Sequence, residues 1–321
     1  MIHSTATAVS RDGLHWNLVN KEPFTRGHFE NTSLIRYNGL YYMAGQAIPP
    51  WSGEQFDGSP VGRTSRVFFS QDFLHWSGAR AEAFSRPNYV TQPEGRGEEA
   101  HMGAGLWNRG NVILGLYGRW HGGTVTAKRS RLDGLTNFMS PGGYGDWDQF
   151  TLLQADAYYN TATETYIWYS NADFHVPTPM PALPAHVENK TPCSVGLAIL
   201  PRDRFGYVQK EIVALPARGT KAPLLPRYGE ILSRSILLDQ ASEVYVNVDD
   251  AAPQAKLQID LVNDTERTLP GYAADITESS FQTPIHWGGG KKAPAGQPFR
   301  IRVRWPEGGA NPKLYAIYVQ R

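Results

Sequence analysis

The sequence predicts an all-β protein: a β-propeller of roughly four blades, followed by a β-sandwich domain. Three observations predict it. A seven-residue phrase occurs twice, as Ser10-Arg11-Asp12-Gly13-Leu14-His15-Trp16 and as Ser70-Gln71-Asp72-Phe73-Leu74-His75-Trp76. Short aromatic or β-branched runs bounded by Gly, Asn or Asp fill the first 210 residues, with almost no helical period. Beyond residue 228 apolar and polar residues alternate, as in sheets with one buried face.

The repeated phrase reads as a corner between two strands. An Asp two residues after a Ser caps the backbone N–H groups of a tight turn, and the Leu and Trp that follow are expected to reach back into a core. Trp16 and Trp76 lie sixty residues apart, which suits one four-stranded blade with a long insertion. Degenerate corners at Arg131-Leu132-Asp133-Gly134-Leu135 and Arg202-Asp203-Arg204-Phe205-Gly206 extend the series to four, hence to about four blades. Because Met1 leads almost directly into a corner, the expectation is either that the start of a first blade is missing from this sequence or that the ring closes differently.

The strand runs include Leu40–Met43, Arg66–Phe69, Val112–Tyr117, Tyr166–Tyr169 and Val195–Leu200. Asn38-Gly39 and Arg109-Gly110-Asn111 place residues tolerant of positive φ between strands, as hairpins require. The Pro-rich stretch 176–184 is too long for a simple turn and reads as a rim loop. Composition then shifts at 215–223, so the expected domains are 1–214, a linker over 215–227, and a sandwich over 228–321. Alternating segments at 241–248, 256–262, 299–305 and 314–319 supply the sandwich strands.

Composition narrows the function classes. Of 321 residues 41% are hydrophobic and 12% aromatic, enough for packed cores. With 31 basic against 30 acidic residues there is no net field to attract nucleic acid, and a neutral substrate fits better. No apolar run approaches a membrane span. The lone Cys193 cannot form an internal disulfide, and no His/Cys spacing resembles a zinc site, so no obligatory metal is expected, with a single cation in the channel left open; no cofactor is expected either. Residues 1–7 lack the segments of a signal peptide, so an exported protein would carry its leader upstream.

The corner, the hairpin strand ending in Tyr41-Tyr42-Met43, the Gly196-Leu197-Ala198 strand followed by Arg202-Asp203, and the terminal alternating region together resemble bacterial glycoside hydrolases. The resemblance is to the five-bladed propellers related to families 32 and 43, with a C-terminal sandwich, over essentially the whole chain. It implies a glycosidase acting on a plant, algal or microbial carbohydrate through carboxylic acids in a central funnel. It also implies that the intact protein is secreted or periplasmic. The Asn-Asp-Pro-Asn and Arg-Asp-Pro segments of the fructan-cleaving members have no counterpart here.

Site residues follow from strand register. The first strand of each blade lines the axis, so polar residues entering such strands are where chemistry is sought. Superposing Asn38-Gly39 on Arg109-Gly110 shifts numbering by 71 and carries Glu30 onto His101. Period 2 adds His28 beside Glu30 and Glu99 beside His101, and a third inner strand offers Gln154 and Asp156. Glycoside hydrolysis suits such a set: one carboxylic acid protonates the leaving oxygen while another activates water or attacks the anomeric carbon. Glu99 is expected to be the general acid and Glu30 the base or stabiliser, with Asp156 able to take the latter role. His28, His101 and Gln154 would hold sugar hydroxyls. The competing readings are solvated loop charge for Glu98 and Glu99, a turn cap for Glu30 and a strand-start cap for Asp156.

Loop aromatics are the natural platforms for sugar rings. Trp51, Trp120 beside His121, and Trp147 between Asp146 and Asp148 are the candidates, whereas Trp16, Trp76 and Trp168 are expected in the core. Two rival functions remain: a non-catalytic carbohydrate-binding propeller, and a sialidase-like protein. The latter is the weaker, because Asp and Gly are adjacent in the first corner and no arginine triad is recognisable.

Overall fold

The computed structural model describes residues 7–20, 29–47, 64–78, 98–110, 112–121, 139, 146–148, 151–172, 193–210, 229–305 and 310–320. Every regular element among them is a β-strand, and the strands join only antiparallel neighbours wherever register is defined. The chain divides into two compact units, Met1–Tyr159 with Ile167–Ala198, and Asn160–Tyr166 with Ile199–Arg321. The expected corner at 131–135 and the 176–184 and 215–227 segments lie outside the described residues.

In the first unit β1 (Thr7–Ser10) and β2 (Trp16–Asn20) form a two-stranded sheet joined by the first copy of the repeated phrase. The chemistry of that corner is legible atom by atom. Asp12 Oδ1 accepts the N–H groups of Leu14 and His15, both at 2.8 Å, while Ser10 Oγ accepts that of Gly13 and donates to Asp12. His15 Nδ1 closes the set at 2.6 Å from Asp12 Oδ2. The second copy repeats every one of these contacts through Ser70, Asp72, Phe73, Leu74 and His75. Backbone N–H groups and then the imidazole hold both Asp carboxyls far below the ordinary carboxylate range. Because the folded-state value is depressed, this stabilisation is present above roughly pH 4 and fades as pH falls through the native value. Asp12→Ala and Asp72→Ala should each lower the melting temperature at pH 7 and converge on the parent in acid. Equal melting at pH 7 would contradict the capping role.

The two corners differ in burial, and here the expected core role of the first is corrected. Leu14 is 80% and Trp16 63% exposed, with Trp16 Nε1 donating to Gly13 O. Trp76 instead packs against Phe29, Met43 and Phe68. The reason is sheet size. The second corner joins β5 (Thr64–Ser70) to β6 (Ser77–Gly78) in a four-stranded sheet ordered β3-β4-β5-β6, with β3 at Phe29–Tyr37 and β4 at Leu40–Ala47. Four strands make an apolar face for a Trp to cover; the described β1-β2 pair does not.

The β3-β4 hairpin turns through Asn38 (φ 47°) and Gly39 (φ 80°), the two left-handed positions of a tight two-residue loop. β7 (Glu98–Asn108) and β8 (Ile113–His121) form the next pair, closed by Arg109 N–H to Val112 O at 2.9 Å. A three-stranded sheet follows in the order β11-β10-β9, from β9 (Thr151–Asn160), β10 (Glu164–Ala172) and β11 (Cys193–Pro201).

The second unit holds two sheets around one apolar core. One has the order β12-β17-β14-β15, from Glu230–Leu232, Arg300–Arg304, Leu257–Val262 and Thr268–Ile276. The other has the order β16-β13-β18, from Ser280–Pro284, Glu243–Asp249 and Lys313–Gln320. Val244, Val246 and Val248 from the three-stranded sheet meet Leu257, Ile259, Ile301 and Val303 from the four-stranded one, with Phe299, Trp287 and Trp305. Alternation along β17 explains the packing: Ile301 and Val303 point inward, leaving Arg300, Arg302 and Arg304 on the other face.

On that other face Asp260 is fully buried, its Oδ2 accepting from Arg302 Nη2 at 2.7 Å and Arg304 Nη2 at 2.6 Å. Elsewhere in this unit Arg204 threads between the rings of Phe281 and Tyr315, each 4.6 Å away, and donates to Asp249 and Asn247. Its neighbour Asp203 accepts from Asn160 and from Tyr318, whose phenol is pushed up to about 12, chiefly by burial. The corner predicted at 202–206 is therefore locked into the second unit.

Candidate functional site

The first unit brings β3, β7 and β9 together, and the contacts that do so are specific. Ser33 of β3 is buried, and its Oγ accepts the Leu106 N–H of β7 at 3.1 Å. The same hydroxyl donates to Asp156 Oδ1 of β9 at 2.9 Å. Two residues further along β9, Tyr158 donates to Gly105 O at 2.8 Å and stacks on Trp107 with ring centres 5.1 Å apart. Arg109 covers the stack, 4.2 Å from the Trp107 ring. β7 can lie this close because Gly105 has no Cβ: one placed there would come within 2.8 Å of Ala155 O.

Bulges decide which residues share a face. Glu30 pairs with Gln46 and Ser33 with Ala44, and since Gln46 and Ala44 are two residues apart on β4, Glu30 and Ser33 project to one side. Thr32 is the extra residue in β3. Glu30 therefore faces the same side as the Ser33–Asp156 contact, about two ladder steps or roughly 7 Å along the strand. Its Oε2 accepts from Gln46 Nε2 at 3.0 Å, and Gln46 is itself buried.

On β7 two residues, Met102 and Gly103, occupy the corresponding bulge, since His101 pairs with Gly118 and Ala104 with Tyr117. The offset of 71 between the two hairpins thus holds from the turn back to Ser33 and Ala104 and then slips by one. The ladder position equivalent to Glu30 is Ala100, not His101, and Glu99 matches Phe29. The mark this leaves in the sequence is Gly103, at φ 77° within the β7 bulge, while the β3 bulge carries no glycine.

Asp156 is the described carboxyl with the most perturbed chemistry in this cluster. The residue is exposed as a whole, yet its carboxyl end lies against Ser33 and Leu106, and burial raises its pKa despite the opposing hydrogen bonds from those two groups. The phenol of Tyr158 is pushed up to about 12, first by burial and then by the Asp156 charge.

The other predicted residues divide by how far they are described. Glu99 pairs in backbone with Trp120, and His121 with Glu98. Gln154 lies on β9, two residues before Asp156. Trp147 is half-buried and stacks on Tyr169 with ring centres 5.7 Å apart, so one side of it is already covered. Tyr169, its phenol raised to about 12 by burial and by its bond to Asp148, anchors that turn. His28 and Trp51 lie outside the described residues. Ser33, Leu106 and Tyr158 were not anticipated; the signal present was the polar run Glu30-Asn31-Thr32-Ser33 within the strand. No group of His, Cys, Asp and Glu suited to a metal ion occurs among the described residues.

No family model matches the chain, and neither does any curated protein. Solved structures do. The GH32 beta-fructofuranosidase BmSUC1 of Bombyx mori matches at 12% identity over 98% of this chain and 72% of its own, with a TM-score of 0.29. A variant of that enzyme in complex with sucrose matches at 12% identity over the same shares, with a TM-score of 0.30. A glycoside hydrolase family 43 arabinoxylan arabinofuranohydrolase from Bacillus subtilis, in complex with cellotetraose, matches at 12% identity over 95% of this chain and 56% of its own, with a TM-score of 0.18. Similarity this slight leaves the activity to be argued from the residues themselves.

Proposed function

We propose that the protein is a glycoside hydrolase whose chemistry centres on Asp156 and Glu30 where β3, β7 and β9 meet, as first strands of neighbouring propeller blades. The observation that carries this reading is Asp156: a carboxyl drawn toward its neutral form, held by a buried hydroxyl from a strand 123 residues away in sequence, on the side that Glu30 faces.

The chemistry divides among three carboxyls. Glu99, at the start of β7 and at the ladder position of Phe29, is assigned the proton donation to the leaving glycosidic oxygen. Asp156 is the base that activates water or attacks the anomeric carbon, because a desolvated carboxylate is a stronger base than a solvated one. Glu30, already bonded by Gln46, stabilises the positive charge that develops on the sugar ring. The substrate is a neutral carbohydrate, in keeping with the balanced charge of the chain, and Trp51, Trp120 and Trp147 are the candidate platforms for it on sequence grounds.

Incubation with a panel of neutral oligosaccharides and aryl glycosides tests the proposal. The parent chain should release sugar from at least one member, and Glu99→Gln should abolish release while sugar binding persists. Binding without cleavage by the parent would favour a carbohydrate-binding protein instead.

A further inference from the structure

We infer that Ser33 is a positioning residue for Asp156, fixing which of its two carboxyl oxygens does the chemistry. This rests on the proposed role of Asp156 and adds to it the group that orients it. The argument is one of hydrogen-bond capacity. A serine hydroxyl has one proton to give, and the Leu106 N–H, which occupies a lone pair of Ser33 Oγ at 3.1 Å, leaves that proton for Asp156 Oδ1 at 2.9 Å. The relay runs from a β7 amide through a β3 hydroxyl to a β9 carboxyl, so its geometry is set by three strands and not by one flexible side chain. Ser33 is 2% exposed, which keeps water from competing for the contact. The Thr32 bulge directs Ser33 to that side; without the extra residue, alternation from Glu30 would turn it to the other face. Ser33 and the Leu106 amide thus hold the carboxyl in place, with Oδ1 bonded to the Ser33 hydroxyl and Oδ2 assigned to take a proton from water or to attack carbon.

A hydroxyl that donates to a carboxylate favours its ionised form, and the Ser33 contact acts on Asp156 in that sense. Ser33→Ala should therefore move the titration of Asp156, followed by the carboxyl carbon resonance in isotope-labelled protein, up by roughly 1 pH unit. The acid limb of kcat should move with it, and kcat below that limb should fall about tenfold at nearly constant KM. Ser33→Thr, which keeps a hydroxyl, should return both towards the parent, separating positioning from loss of packing. If Asp156 titrates at the same pH in Ser33→Ala as in the parent, the positioning role is overturned while the proposed function stands. If Asp156→Asn keeps full turnover, the proposed function itself fails, whatever Ser33→Ala does to the resonance.

Discussion

Asp156→Asn should remove turnover and make the protein more resistant to heat at neutral pH. The loss of activity follows from removing the base, on the order of 10²–10⁴-fold in kcat. The gain in stability follows from linkage. Burial raises the Asp156 pKa in the folded protein, so the native state holds this proton more tightly than the unfolded chain does. As pH rises through the interval between the unfolded value near 3.9 and the raised native value, that preference turns into a cost, complete at neutral pH. Asn keeps an oxygen to accept from Ser33 but carries no charge to desolvate. Because the carboxyl is partly solvated, the gain is at most about 1 kcal/mol. Calorimetry at pH 7 and pH 4 checks the sign: the advantage of Asp156→Asn should shrink in acid. A variant that melts lower than the parent at pH 7 would mark Asp156 as a structural residue.

The second large effect concerns the other unit. Asp260→Ala should cost ~3–5 kcal/mol, because it leaves the guanidinium groups of Arg302 and Arg304 without the carboxylate that compensates them on a partly covered face. Against a total stability of about 5–15 kcal/mol for a typical domain, that is enough to shift the urea midpoint of this unit well below the parent's. Removing the whole charged group by a combined change to Asp260→Leu, Arg302→Met and Arg304→Met should restore much of the loss, since the penalty lies in the unpaired charges. A change under about 1 kcal/mol for Asp260→Ala would show that solvent reaches the pair more freely than its burial indicates.

What could be read in the sequence and what could not divide along one line: local chemistry was legible, and contacts between distant strands were not. Ser10-x-Asp12 and Ser70-x-Asp72 specify their turns through neighbours two and three residues away, so the capping of backbone N–H groups by the Asp was readable, whereas the His15 and His75 contacts and the exposure of Leu14 and Trp16 were not. Alternation in 256–262 and 299–305 located β14 and β17, because a strand with one apolar face writes its period into the chain. Whether Trp16 or Trp76 is buried depends on how many strands lie beneath it, which no local pattern states. Asp260 reads as an ordinary polar position in an alternating strand; only the pairing of β14 with β17 sets it opposite Arg302. In the candidate site, Glu30 and Asp156 could be named from the expected inner strands. Ser33 could not, because its role is created by a one-residue bulge and by two partners far away in sequence.

The most direct test of the account is a crystal structure of Asp156→Asn with an oligosaccharide that the parent cleaves. The account predicts a sugar ring lying over the meeting of β3, β7 and β9. Its scissile oxygen should be within hydrogen-bond reach of one carboxyl, with Glu30, Glu99 and Asn at position 156 around it at the roughly 5–9.5 Å separations that glycosidases use. A sugar bound elsewhere, with these side chains on separate surfaces, would contradict it.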